Sequence, residues 1–129
     1  MLVDLPPATL LSTETHIIYR HYGLVTVRGT VMSCSAKHGG TTEEFVHHFA
    51  EGKAWKIEAP LSDLPWWDVL NRAYAFASKP YHVTDWNCET FVNACFGLLP
   101  RSRQVETTAV VAGLGLIALI AHRVSRYRG

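Results

Sequence analysis

Cys88 is the residue best suited to covalent chemistry, and it lies in the segment DWNCETFV. Apolar residues at helical spacing follow it, and Asn87 is a favoured N-cap residue, so the pattern predicts Cys88 at the first position of a helix. Unpaired amide groups and the positive end of the helix dipole meet there, where they lower a thiol pKa and stabilise an oxyanion. We therefore predict a nucleophilic thiolate at Cys88, with Asn87 and Cys88 forming the helix cap and oxyanion site.

His21 is the histidine best placed to act as the general base that a thiol nucleophile needs. It lies in RHYGLV, a segment with strand character. Gly23, two residues further along the strand, is predicted to leave open space on the same face. A histidine beside such a gap could meet a group on a neighbouring helix, although the pattern alone is also typical of a half-buried structural histidine.

Four segments, RHYGLV, TTEEFVHHFAEGKAW, DWNCETFV and PRSRQV, together resemble the lecithin retinol acyltransferase family, also called H-box/NC proteins. These proteins are permuted relatives of the NlpC-type peptidases and have a papain-like thiol fold. The resemblance extends from about Leu5 to Val105. It implies that Cys88 is the nucleophile and His21 the general base, and that an acyl group passes through the cysteine to water, an alcohol or an amine.

Ser33 departs from the family pattern, because many members have a second histidine twelve residues after the first. A three-residue loop, Val27–Gly29, would pair Gly23 with Ser33 and put Ser33 on the face of His21, whereas a two-residue loop would set Cys34 opposite His21. We predict the first register, with Ser33 as a candidate orienter of His21. A hydroxyl cannot stabilise an imidazolium as a carboxylate does, so slower catalysis or loss of activity is expected.

Further residues are predicted to lie around this site. His38, in the AKHGG loop, is an alternative orienter of His21. Glu89 is predicted to cap the positive helix start and to take no chemical part. Trp86 and Gly23 are predicted to line the substrate pocket.

The elements that would position these residues follow from periodicity and turn signals. They predict an α+β fold, with a small antiparallel sheet packed on helices and a hydrophobic C-terminal helix. The predicted elements are an edge strand at 8–12, a hairpin of residues 15–27 and the TVMSCS segment, a short helix at 41–50 opened by a Thr41-x-x-Glu44 capping box, a strand in AWKIEAP, a helix capped by Ser62 or Asp63 that runs to about residue 78, and the helix from Cys88.

The 129 residues suit one domain, predicted at 1–105, followed by a hydrophobic tail at 106–129. Residues 107–121 are uncharged, and three arginines lie in 122–129. Fifteen helical residues span about 22 Å, less than the roughly 30 Å of a hydrocarbon core, so the run could cross a membrane only with snorkelling arginines and thinned lipid. The tail is predicted to be a membrane anchor; a core helix or an oligomer contact is the alternative.

Composition narrows the function classes. The chain has three cysteines without CxxC or zinc-site spacing, so neither a metal nor another cofactor is predicted. It has no basic stripe for nucleic acid, and the absence of an export signal favours the cytoplasmic face of a membrane. The predicted function is a thiol-dependent acyltransferase or phospholipase-type hydrolase of acyl lipids. The alternatives are a non-catalytic H-box/NC interaction protein of the viral type and an NlpC-type amidase or peptidase.

Overall fold

The computed structural model describes residues 1–14, 19–99 and Gln104. These residues form an α+β structure built on one antiparallel sheet. Within these residues the five strands lie in the order β4-β3-β2-β1-β5. The elements are β1 (Leu10–Glu14), β2 (Arg20–Val25), β3 (Val31–Ser35), β4 (Gly40–Glu44), α1 (Val46–Phe49), β5 (Trp55–Glu58), α2 (Trp66–Ala75) and α3 (Cys88–Cys95). The predicted α+β class and antiparallel sheet are confirmed.

The β2–β3 hairpin has the predicted three-residue loop. Leu24 lies opposite Met32 and Val25 opposite Val31, and the loop closes with a hydrogen bond from the Gly29 amide to the Thr26 carbonyl (3.1 Å). Gly29 has a φ of +76°, a conformation that favours glycine. Because side chains alternate along a strand, this register places residues 21, 23, 25, 31 and 33 on one face of the sheet.

β1 differs from its prediction as an edge strand. It begins at Leu10 and lies between β2 and β5, and its first four side chains are all buried. The outer position belongs to β5, whose first three residues are exposed. A strand whose two faces are both covered has a continuous run of buried residues. Such a run does not show whether the strand lies at the edge or inside the sheet.

The predicted helix start at Thr41 is wrong, since residues 40–44 form strand β4. Thr42 pairs with Ser33 and Thr41 with Cys34. The short helix α1 begins only at Val46, and no side chain caps it. Pairing with the preceding strand β3 overrides the local capping signal here, and the β-branched threonines suit a strand.

Both faces of the sheet are covered by helices. On one face, α2 and α3 form a core in which Leu24 and Met32 pack with Val69, Phe91 and Val92. On the other, Val46, Phe49 and Ala50 cover Leu11, Val25 and Val31. His21 and Ser33 therefore belong to the α1 face, whereas Cys88 begins a helix on the opposite face. The paired part of β2 and β3 ends at Leu24 and Met32, so the His21 end of β2 extends past this ladder.

The two long helices, α2 and α3, differ in how their ends are capped. α2 has Pro65 in the N-cap position without a side-chain cap; Ser62, a predicted cap, instead donates to the Phe96 carbonyl (2.7 Å). The helix also ends at Ala75, before the predicted residue 78. α3 begins at Cys88 as predicted, and Gly97, with a φ of +76°, follows its end.

Among the described residues, no helix has the length and apolar character to span a membrane. The predicted hydrophobic helix at 106–129 lies outside these residues.

Candidate active site

The nucleophile position is built by the first turn of α3. Asn87 Oδ1 accepts hydrogen bonds from the amides of Glu89 and Thr90 (both 3.1 Å), and Thr90 Oγ1 accepts from the Asn87 amide (2.7 Å). The Phe91 amide donates to the Asn87 carbonyl (2.9 Å). In the described part of the chain, the Cys88 amide is the N–H of this turn that has no acceptor. It can therefore donate to the oxyanion that forms when the Cys88 sulfur attacks a carbonyl carbon.

The Cys88 sulfur is seated against the backbone of β2. Sγ donates to the Arg20 carbonyl at 3.7 Å. Burial raises the pKa of the Cys88 thiol to about 11, and this effect outweighs the lowering by the amides of Tyr22 and Glu89. The prediction of a lowered thiol pKa is thus wrong, because docking the helix start against the strand removes water that would solvate a thiolate.

His21 lies on the far side of the same strand. Its ring stacks on that of Phe49, with centroids 4.9 Å apart. Burial lowers the pKa of His21 to about 4, with Glu51 raising it and His38 lowering it further. Among the described residues, the His21 ring has no hydrogen bond to Cys88 Sγ. The thiol instead donates to the carbonyl of Arg20, the residue that precedes His21. At neutral pH both the thiol and the imidazole are therefore uncharged.

A cavity of about 480 Å³ connects these groups around the end of the sheet. Its volume lies within the roughly 300–1,000 Å³ of small-molecule sites. The residues that line it include Cys88, Asn87, Tyr81, Val83, His21, Phe49, His38 and Glu44. The structure thus brings the predicted nucleophile, cap and base to one cavity.

Ser33 shares the face of His21 but does not hydrogen-bond to it. The side chain is fully buried, and its Oγ has no partner among the described residues. The hydroxyl of Thr42, the residue opposite on β4, is likewise without a partner there. Among the described residues, Ser33 therefore makes no direct hydrogen bond of the kind predicted to orient His21.

Two residues predicted to line the substrate pocket lie elsewhere. A Cβ on Gly23 would come within 2.5 Å of Val31 Cγ1 and 2.8 Å of Phe49 Cε2, so the expected open space is filled. Trp86 is 3% exposed and packs edge-to-face on Phe76 and Phe91. Both are core residues. The absence of a side chain at Gly23 allows Phe49 to pack there, and Trp86 packs against Phe91 of α3.

The sequence pattern of the family described as Lecithin retinol acyltransferase matches residues 12–98, about two thirds of the chain. The chain belongs to the lecithin retinol acyltransferase family. No curated protein matches it significantly. Cys88, His21 and Ser33 all fall within the range matched to the lecithin retinol acyltransferase family, and the family is one of acyltransferases by its description.

Gln104 lies beyond the range matched to the lecithin retinol acyltransferase family and is a site residue that the sequence indicated only within the PRSRQV motif. Its Oε1 accepts from the Arg20 amide (2.7 Å), and its Nε2 donates to the Arg20 carbonyl (3.3 Å) and to Glu89 Oε2 (3.0 Å). It thereby joins the strand before His21 to the helix turn after Cys88. Glu89, predicted as a cap by its charge, also holds this glutamine.

His38 and Glu44 form a further pair in the cavity, with Nε2 and Oε2 3.4 Å apart. The sequence suggested His38 as a partner of His21 but did not indicate this contact, because residues 41–44 were assigned to a helix. No group of three metal-binding side chains occurs in the described residues.

Proposed function

We propose that the chain is a thiol-dependent acyltransferase or phospholipase-type hydrolase of acyl lipids, working through an acyl group on Cys88. The observation that carries the proposal is the shared cavity, which both Cys88 and His21 line, in a member of the lecithin retinol acyltransferase family. The Cys88 amide, which has no acceptor among the described residues, lies at the same helix start.

Acylation starts from a neutral thiol and a neutral imidazole. As Sγ attacks the ester carbonyl, its proton passes to His21, and the Cys88 amide donates to the developing oxyanion. The carbon–oxygen bond then breaks, His21 gives the proton to the leaving alcohol, and the acyl group remains as a thioester. This step requires the His21 ring to turn from Phe49 toward the sulfur, in keeping with catalytic hydrogen bonds that form only with substrate present.

We further propose that residues 107–129 hold the protein on the cytoplasmic face of a membrane that supplies the acyl lipid. The uncharged run and its arginines support this, since basic residues attract an anionic lipid surface. Gln104 lines the cavity and precedes Thr107 by three residues, which span roughly 11 Å at most. The anchor would thus begin close to the site.

The test is transfer of an acyl chain from phosphatidylcholine vesicles to the full-length chain, followed by intact mass. We expect an acyl adduct that Cys88→Ala and His21→Ala both lose. His47→Ala is the matched control, because His47 is exposed on α1 and does not line the cavity; it should retain the adduct. An adduct that persists in Cys88→Ala would show that the nucleophile is misassigned.

A non-catalytic H-box/NC interaction protein is the second candidate. Two observations on the described residues favour it: the Ser33 hydroxyl has no hydrogen-bond partner there, and no hydrogen bond joins His21 to Cys88. It predicts no adduct with any ester. The NlpC-type alternative predicts an adduct from an activated peptide amide but none from phosphatidylcholine.

A further inference from the structure

A second imidazole–carboxylate pair lies in the cavity that holds Cys88 and His21. His38 is in the turn between β3 and β4, and its Nε2 is 3.4 Å from Oε2 of Glu44, the last residue of β4. Both side chains line the cavity and are only partly exposed, by 31% and 15%. Partial burial reduces the screening of their attraction by solvent.

The turn that carries His38 is attached to the segment that leads to the nucleophile. The Tyr81 amide donates to the Gly39 carbonyl (2.9 Å), and Tyr81 lines the cavity. Within the turn, the His38 amide donates to Ser35 Oγ (3.4 Å). His38 is therefore held by its backbone on the cavity wall.

Glu44 selects the tautomer of His38. An ionised carboxylate can only accept hydrogen bonds, so the nitrogen that faces it, Nε2, carries the hydrogen in the neutral ring. The lone pair is then on Nδ1, which has no hydrogen-bond partner among the described residues. Nδ1 can accept a proton, and Glu44 can stabilise the imidazolium that results.

His21 is committed to the first proton transfer. Its ring stacks on that of Phe49, with centroids 4.9 Å apart, and in the proposed acylation it carries the thiol proton to the leaving alcohol. His38 lies in the exposed turn at residues 36–39, where water can reach it.

We propose that His38, oriented by Glu44, is the general base that activates water to hydrolyse the acyl group in the second half of the reaction. The inference rests on the proposed acyl-Cys88. The water oxygen forms a bond to the thioester carbon while one of its protons passes to His38 Nδ1. The carbon–sulfur bond then breaks, its electron pair leaves with Sγ, and the proton on His38 returns through solvent to the thiolate.

The test separates acylation from deacylation with the full-length chain and p-nitrophenyl octanoate. Release of p-nitrophenol in the first turnover measures acylation, and the decay of the acyl mass on Cys88 measures deacylation. We expect His38→Gln to acylate within about twofold of the wild-type rate but to lose the acyl group about 100-fold more slowly. Glu44→Gln should slow the loss by a smaller factor, about tenfold, because an amide oxygen still accepts from Nε2.

His47→Gln is the matched control and should deacylate at the wild-type rate. Hydroxylamine, a stronger nucleophile that needs less assistance from a base, should restore acyl loss in His38→Gln. The inference is overturned if His38→Gln deacylates as fast as His47→Gln. That result differs from failure of the proposed function, in which the wild-type chain forms no acyl-Cys88 at all.

Discussion

At the scale of the residue, the resting site holds an uncharged thiol and an uncharged imidazole. Burial raises the pKa of Cys88 to about 11 and lowers that of His21 to about 4. A preformed thiolate–imidazolium pair would need the opposite order of these two pKa values. Cys88 therefore gains nucleophilicity only when a base takes its proton during attack, as a serine hydroxyl does.

Alkylation of Cys88 by iodoacetamide should consequently follow the thiolate population. A pKa of about 11 leaves roughly 10⁻⁴ of the thiol ionised at pH 7, against about 3% for an ordinary thiol. The rate should rise about tenfold per pH unit from 7 to 9 without a plateau. Peptide mass mapping separates Cys88 from Cys34 and Cys95, which are fully buried and should label more slowly. A plateau below pH 8 would mean that the folded protein stabilises the thiolate.

At the scale of the element, the capping box at the start of α3 decides how the nucleophile is presented. Asn87 and Thr90 satisfy the amides around Cys88 and leave the Cys88 amide itself for the oxyanion. Asn87 Nδ2 also donates to the Val83 carbonyl (3.0 Å), which holds the preceding loop. The cap thus serves both the stability of the helix and the geometry of the site.

Asn87→Ala should lower the free energy of unfolding by roughly 1–2 kcal/mol, because two amides lose their acceptor and Val83 loses its donor. Asn87→Asp keeps the acceptor oxygen and should lose less. Asn71→Ala, at an exposed position of α2, is the control and should stay within about 0.5 kcal/mol of wild type. Urea denaturation measures all three; equal stability of Asn87→Ala and Asn71→Ala would contradict the capping role.

At the scale of the whole molecule, the site lies where helices from opposite faces of the sheet meet its end. α1 supplies Phe49 on one face, and α3 supplies Cys88 on the other. Gln104, bound to Arg20 and Glu89, brings the chain back to this point before the hydrophobic run begins. In the proposed function, in which that run holds the protein on a membrane, the acyl lipid would be delivered beside the cavity.

Deletion of residues 107–129 should release the protein from phosphatidylcholine vesicles that contain anionic phosphatidylserine, measured in a flotation assay. Acyl transfer from vesicles should fall by about 100-fold as the local substrate concentration is lost, while turnover of p-nitrophenyl octanoate should stay within about twofold. A full-length variant with Leu116→Asp and Ile120→Asp keeps the length and should behave like the deletion. Unchanged vesicle binding in both would show that the tail is not a membrane anchor.

Local sequence determined those features that depend on neighbouring residues alone. The N-cap at Asn87, the helix start at Cys88 and the closing of the hairpin at Gly29 all follow from side-chain hydrogen bonding and allowed backbone angles. The paired motifs around His21 and Cys88 likewise identified the family. Tertiary structure decided what depends on contacts beyond the immediate neighbours in the chain: pairing with β3 made Thr41–Glu44 part of a strand, and Phe49 filled the space above Gly23. It also reversed the predicted pKa of Cys88, because desolvation by β2 outweighs a helix start, and local sequence does not show how deeply a side chain is buried.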